Sequence, residues 1–173
     1  MSNYRQISTL SGLNKCFEKI SHRLIPFIKI FKLISRNQFG FKMSVSITNA
    51  IFELNEFINA SLKANEFVIC VFLDIKKAFD SVSHSILLNK IYKMGFRGRI
   101  HSFLSSYLTD RCQYVIVDDC VSRELKILHG VPHGSVLGPL FFNLFIDDIV
   151  NTVSSDKTIL LTDNTFYCSL QSH

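Results

Sequence analysis

Val68-Ile69-Cys70-Val71-Phe72-Leu73 is an unbroken run of β-branched, aliphatic and aromatic side chains that stops abruptly at a carboxylate, Asp74. Its length and composition predict a buried strand over Phe67 to Asp74 that delivers the carboxylate to an exposed strand end. A charge at the end of an apolar strand is costly unless a cation, a base or a hydrogen-bond network receives it. An aspartate that ends a strand and caps the next turn is the simpler reading of this stretch taken alone. The rest of the chain shifts that balance.

The chain has 173 residues, enough for one domain with a real core. Its net charge of +5 is unevenly spread. Residues 1–50 carry eight Lys/Arg against the single acid Glu18, whereas residues 111–173 carry four Lys/Arg against seven acids. A basic first third beside an acidic last third suggests a polyanion held by one part and cations by the other, although a merely solvating charge pattern fits as well. The five cysteines are scattered and form no C-x-x-C pair, which indicates neither a zinc site nor a disulfide framework. A reducing, intracellular setting (cytoplasm or nucleus) is therefore expected. Ser2 to Gln6 is polar, so no signal peptide is expected, and the most apolar stretch, Leu137 to Val150, is interrupted by Asp147 and Asp148, so no membrane partner is expected either.

Apolar residues at Leu13, Phe17, Ile20 and Leu24 predict a helix that stops near Pro26. Gln38-Phe39-Gly40-Phe41-Lys42 reads as a loop with interleaved aromatic and basic residues, suited to stacking and phosphate contact or simply anchored by its two rings. Ile47, Ile51, Leu54, Ile58 and Leu62 predict an amphipathic helix over Ile47 to Ala64. Helices are expected from His84 to Met94, capped by Ser83 and closed by Gly95, and from about Arg99 to Leu108. Two arms around Asp118-Asp119 predict a hairpin. The glycine-bracketed loop Gly130 to Ser135 then leads into a helix over Leu137 to Val150. Thr158 to Leu161 and Phe166 to Leu170 predict a second hairpin, with Thr162-Asp163-Asn164-Thr165 as its polar turn. Strands and helices alternate irregularly, so the expected fold class is α+β.

If the strands carrying Asp74 and Asp163 are neighbours, their carboxylates project from one sheet edge. Such a pair suits hard divalent cations, which take oxygen ligands. Two Mg²⁺ ions about 3.5–4 Å apart activate an attacking hydroxyl and stabilise a leaving oxygen at phosphorus. The backbone N–H groups of Gly130 to Gly134 could seat a sugar or phosphate. Each feature alone is common in proteins.

Their order is less common. Asn3-Tyr4-Arg5 is followed by Gln38-Phe39-Gly40-Phe41-Lys42, Asp74-Ile75-Lys76-Lys77-Ala78-Phe79-Asp80-Ser81-Val82-Ser83-His84 and Ser106-Tyr107-Leu108-Thr109-Asp110-Arg111-Cys112-Gln113. Then come Gly130-Val131-Pro132-His133-Gly134-Ser135-Val136-Leu137-Gly138-Pro139-Leu140-Phe141-Phe142 and Ile146-Asp147-Asp148-Ile149. In this order and at these spacings the chain resembles the reverse transcriptases of non-LTR (LINE-like, jockey-type) retrotransposons, over nearly its whole length. The resemblance implies a right-hand polymerase with fingers in about residues 1–66 and an antiparallel palm sheet packed on helices in residues 67–173. It implies RNA-directed DNA synthesis on an RNA template from a DNA primer, with deoxynucleoside triphosphates and Mg²⁺ or Mn²⁺. By family position Asp74 and Asp163 bind metal, assisted by the Ile75 carbonyl, and Asn164 stands at the second catalytic position of the hairpin. Phe79 takes the place of the ring that excludes a 2′-hydroxyl. Arg5 and Lys42 correspond to arginines of the family pattern, the former contacting the triphosphate. His133 and Gly134 line the nucleotide pocket.

The chain departs from the family at exacting positions. The hairpin pattern [FY]-A-D-D-T is here Leu161-Thr162-Asp163-Asn164-Thr165, so one carboxylate has become a neutral amide and a small residue has become β-branched. His133 replaces glutamine, Lys42 replaces arginine without its planar fork, and Gln6 replaces proline. A thumb is expected to be absent, because the chain ends shortly after the hairpin. The expected activity is therefore that of a polymerase domain active only as part of a longer protein, with the isolated chain weak or inactive because of Asn164 and the missing thumb. The alternatives are a degenerate remnant that keeps nucleic-acid binding, or a chain that does not fold stably alone because the palm face that meets a thumb would be exposed and apolar. Oligomeric state is not indicated.

Overall fold

The structure is a computed structural model and describes residues 8, 12, 24–42, 45–162 and 164–171. The expected helix over Leu13 to Ile25 lies for the most part outside the described residues. Among these residues the chain divides into two compact units, a sheet unit from residues 21–78 and 146–173 and a helical unit from residues 1–20 and 79–145.

In the sheet unit, α1 (Leu24–Ile30) runs straight through Pro26. Proline is tolerated there because the first turn of a helix has no internal acceptor for the missing N–H. Helix α2 (Ile47–Lys63) starts where Ser46 and Asn49 satisfy each other's backbone, Asn49 N–H donating to Ser46 Oγ and Ser46 N–H to Asn49 Oδ1 at 2.9 Å. The helix matches the expected span, but only part of the expected apolar stripe turns inward, with Leu54 packed on the core and Ile58 half-buried. Ala50 and Ser61 are buried, whereas Ile47, Ile51 and Leu62 face out. The two small residues let the helix axis approach the sheet, and Ser61 Oγ is satisfied by the Phe57 carbonyl at 2.9 Å.

Strands β1 (Phe67–Asp74), β6 (Lys157–Leu161) and β7 (Asn164–Gln171) form an antiparallel sheet in the order β1-β7-β6. Residues 37–39 run along the other edge of β6, with Leu160 N–H donating to the Asn37 carbonyl and Phe39 N–H to the Leu160 carbonyl, both at 2.8 Å. Phe39, Ala50 and Ile159 make a core with Val45, Leu54, Leu161 and Phe166 packed against it. Strand β1 has its expected bounds but is not buried. It pairs on one side only among the described residues, and Phe72 remains 62% exposed. Cys70 and Cys168 stand opposite each other and are joined as a disulfide, contrary to expectation. Their spacing along the chain carries no sign of it, because β1–β7 pairing brings together residues 98 positions apart.

The helical unit contains α3 (His84–Lys93), α4 (Gly98–Leu108) and α5 (Leu137–Ile146). Leu87, Ile91, Leu104, Leu108, Phe141 and Phe142 are fully buried and supply its core. Ser83 sits at the N-cap of α3, but its hydroxyl meets Ser85 rather than the helix backbone. Between α4 and α5 a ribbon is built from β2 (Cys112–Gln113) on β5 (Leu125–Lys126) and β3 (Ile116–Val117) on β4 (Cys120–Val121). Asp118 and Asp119 both take positive φ, 45° and 61°, which is the two-residue turn that matches strand twist. Lys126 donates to Asp110 at 2.7 Å at the root of the ribbon. The expected helix beyond Ile146 instead tightens into a 3₁₀ segment over Asp147–Asn151, in the sheet unit. There the Asp147 carboxylate accepts the Ser35 N–H at 2.8 Å.

Candidate active site

The apolar side chains of β1 and β7 set the strand register, and the register sets the chemistry at the strand end. Phe72 faces Phe166, with ring centroids 4.8 Å apart, and two residues on Asp74 faces Asn164. Directly opposed residues of an antiparallel pair project to the same face, with Cβ atoms roughly 4.5–5.5 Å apart. Leu161 also pairs with Asn164, so only residues 162 and 163 lie beyond the ladder. The expected four-residue turn is thus a two-residue one, and Asn164 and Thr165 belong to β7. The residue opposite Asp74 is the amide. Asp163 and Arg5 lie outside the described residues.

Thr162 has φ 54°, a left-handed conformation that a β-branched residue adopts only under constraint. The constraint comes partly from Gly40. A Cβ built on Gly40 would lie 2.3 Å from Thr162 N and 2.6 Å from Thr162 Cγ2. The Gln38-to-Lys42 segment therefore buttresses the hairpin. Gln38 is fully buried and accepts the Gly40 N–H on Oε1 at 2.7 Å. Phe39 is a core residue, Phe41 faces solvent, and Lys42 Nζ donates to the Ser35 carbonyl at 3.0 Å. Anchoring, which was one of the two readings of this loop, describes Phe39.

In the helical unit the loop from Gly130 to Ser135 folds back on the 79–82 turn. Gly130 N–H donates to the Val82 carbonyl at 2.7 Å and Val131 N–H to the Phe79 carbonyl at 2.9 Å. Gly130, at φ +91°, has Asp80 Cα 3.1 Å from where a Cβ would stand, so a side chain there would force the two segments apart. Buried His84 closes the loop from the other side, its Nε2 lying 2.7 Å from the Gly130 carbonyl oxygen. Phe79 is half-buried and stacks on Phe142 with centroids 5.2 Å apart at 23°. Its ring also meets the His133 imidazole at 5.2 Å, and His133 Nε2 lies 3.2 Å from Asp80 Oδ1. The loop thus brings Phe79 and His133 together, with exposed Gly134 next to His133 in the chain. Asp80 and His84 were not singled out in the sequence. Their signal was the spacing of Asp74-Ile75-Lys76-Lys77-Ala78-Phe79-Asp80, which contains a second carboxylate one residue after the ring.

Residues 1–169 match the family model described as reverse transcriptase (RNA-dependent DNA polymerase). The chain belongs to the reverse transcriptase family. Its curated relatives include RNA-directed DNA polymerases of jockey-type and other non-LTR retrotransposons. The chain is 36% identical over 148 residues to the probable RNA-directed DNA polymerase from transposon BS of Drosophila melanogaster, covering 85% of this chain and 16% of that protein. It is 33% identical over 168 residues to the RNA-directed DNA polymerase from mobile element jockey of the same organism, covering 94% of this chain and 18% of that one. The chain therefore spans less than a fifth of the length of these relatives. Among solved structures, telomerase from Candida tropicalis in complex with a fragment of telomeric RNA aligns with 91% of this chain and 29% of its own at a TM-score of 0.65 and 14% identity. Apo telomerase from the same organism aligns with 94% of this chain and 38% of its own at 0.62 and 14% identity. That likeness is one of fold, a polymerase palm-like arrangement of helices and antiparallel sheet. No helix among the described residues is long and apolar enough to cross a membrane.

Proposed function

We propose that this chain is part of an RNA-directed DNA polymerase that joins deoxynucleotides to a DNA primer on an RNA template. The observation that carries this reading is the Asp74–Asn164 pair at the open end of β1 and β7, in a chain matching a polymerase family over residues 1–169. Asp74 offers a carboxylate, the Ile75 carbonyl and the Asn164 amide offer further oxygens, and oxygen donors suit a hard divalent cation, Mg²⁺ or Mn²⁺. Among the described residues no three carboxylate, histidine or cysteine side chains gather; the second charge is proposed for Asp163 on family position alone. The cation, when bound, supplies charge stabilisation at the transferring phosphorus.

The chain's own groups do the rest. Phe79, in ring contact with Phe142 and His133, offers a flat surface for a deoxyribose at the family position that excludes a 2′-hydroxyl. His133, held by Asp80, presents an imidazole where the nucleotide lies, next to the Gly134 backbone. Arg5 and Lys42 supply cationic contacts to triphosphate and template. Residues 1–66 form the fingers part and residues 67–173 the palm part.

A second reading rests on one specific observation. The amide at Asn164 removes a charge from the cation set, which favours a weakly active or noncatalytic copy that still binds nucleic acid. Primer extension on an RNA template, with Mg²⁺ and then Mn²⁺, separates the two. Slow extension by the unaltered chain and a gain of at least tenfold in Asn164→Asp support the polymerase. No extension by either, with template binding intact, leaves the remnant.

A further inference from the structure

We infer that the turn joining α3 to α4 is a binding surface for the phosphates of a polynucleotide, in addition to any contacts made during polymerisation. Residues 81–109 contain Lys90, Lys93, Arg97 and Arg99 and no acid at all. Lys93 in the last turn of α3, Arg97 at the N-cap of α4 and Arg99 in its first turn are all exposed and fall close together along the chain. Among the described residues none of these three makes an ion pair, in contrast to Lys126, which is held by Asp110. A cation with no local carboxylate is neutralised by counterions, and it can exchange those counterions for phosphate.

The surface is also organised. The Arg97 guanidinium lies 3.4 Å from the centroid of the Tyr92 ring, and the His101 ring meets the same tyrosine edge-on at 5.3 Å and 79°. Stacking holds the guanidinium flat while leaving its N–H fork and its outer face open. Such a fork matches two oxygens of one phosphate, and the outer face can stack on a base. Arg99 and Lys93 flank it and would extend the track of charge. The surface lies at the far end of α3 from His84 and the Gly130 loop, roughly 15 Å away by the rise of a ten-residue helix. It is therefore distinct from the loop assigned above to the nucleotide. An acidic membrane would need open apolar side chains to insert beside the charges. Here Tyr92, though 49% exposed, is overlaid by Arg97, and Ile100, 44% exposed beside Arg99, is the apolar side chain whose insertion the vesicle arm below tests.

The test uses the full chain and measures fluorescence anisotropy of labelled single-stranded RNA and of duplex DNA across a salt series, with vesicles containing phosphatidylserine as a separate arm. It needs no catalysis, so its outcome does not depend on whether the chain polymerises. In Arg97→Gln/Arg99→Gln, with an unchanged circular dichroism spectrum, affinity should fall at least tenfold. The slope of log affinity against log salt should shrink by about 1.4–1.8, at roughly 0.7–0.9 per phosphate lost. Arg97→Lys/Arg99→Lys should keep the slope but bind more weakly, because the stacked fork is gone. If the double glutamine variant fails to fold, Lys93→Gln on exposed α3 should still reduce the slope by about 0.7–0.9. Unchanged affinity and slope in folded variants would overturn the proposal. Loss of vesicle binding with nucleic-acid binding intact would overturn it equally.

Discussion

Substituting Gly40 tests whether the Gln38-to-Lys42 segment braces the hairpin that carries Thr162 and Asn164. In Gly40→Ala the new Cβ starts 2.3 Å from Thr162 N, 2.6 Å from its Cγ2 and 2.9 Å from its Cα, against an ordinary contact of 3.4–4 Å. A side-chain methyl can rotate away, but the backbone nitrogen cannot, so the hairpin turn or residues 37–39 must move by about 1 Å. That motion strains the paired 2.8 Å hydrogen bonds between Leu160 and residues 37 and 39. Overpacking of this kind costs about 1–3 kcal/mol, and alanine's reduced freedom in the unfolded chain returns about 0.4–1 kcal/mol. The net loss should be about 1.3 kcal/mol, or roughly 3–5 °C in Tm for a domain of this size. Thermal unfolding of the full chain measures it. The Thr162→Gly background adds a second reading. Removing Cγ2 relieves one of the three clashes, so the two substitutions should couple by about 0.5–1 kcal/mol, with part of the Gly40→Ala loss remaining. A Gly40→Ala chain that melts at or above the parent temperature would refute the bracing argument.

Asn164→Asp places a second carboxylate opposite Asp74 and should destabilise the chain by roughly 0.2–1 kcal/mol in chelator. Excess Mg²⁺ should reverse the loss, and a loss that metal leaves untouched would remove Asp74 from the cation site. The hydrogen bond and charge of Lys126 hold the Asp110 carboxyl below the usual carboxylate range and raise Lys126 in turn. The stability from this lowered carboxyl is present above the ordinary carboxylate pKa and is lost as pH falls through its own lower value. An NMR titration should show Asp110 returning to the ordinary range in Lys126→Met, and no change would discard the pair. Under non-reducing conditions a maleimide should label exposed Cys112 and Cys120 but not Cys70 or Cys168. Labelling of Cys70 in the folded, unreduced chain would contradict the disulfide.

Family and local structure were legible because both are written in short-range pattern. The apolar run ending at Asp74, the helix over Ile47 to Ala64 and the Asp118-Asp119 turn depend on periodicity and turn preferences that neighbouring residues carry by themselves. The order and spacing of the polymerase-like motifs needed no coordinates. The helix that contains Pro26 in its first turn was not foreseen, because a proline is a breaker inside a helix and harmless in its first turn, and the pattern does not say which applies. The apolar stripe of α2 was misread in part, because Ala50 and Ser61, being small, permit closer packing than the larger side chains beside them.

What the sequence determined by itself was the kind of chain this is and where its carboxylates fall along the strands. Only tertiary structure decided which of those groups meet. Strand pairing across some 90 residues put Asn164, rather than its neighbour Asp163, opposite Asp74, and it brought Cys70 to Cys168. A one-residue change of register would turn every side chain of β7 to the other face, so this pairing rests on Phe166 meeting Phe72 and on the core beneath, not on any local signal. The same holds for Gly40 against Thr162 and for Asp80 beside His133. Each pair is distant in sequence, and its contact exists only because the fold closes the loop between them.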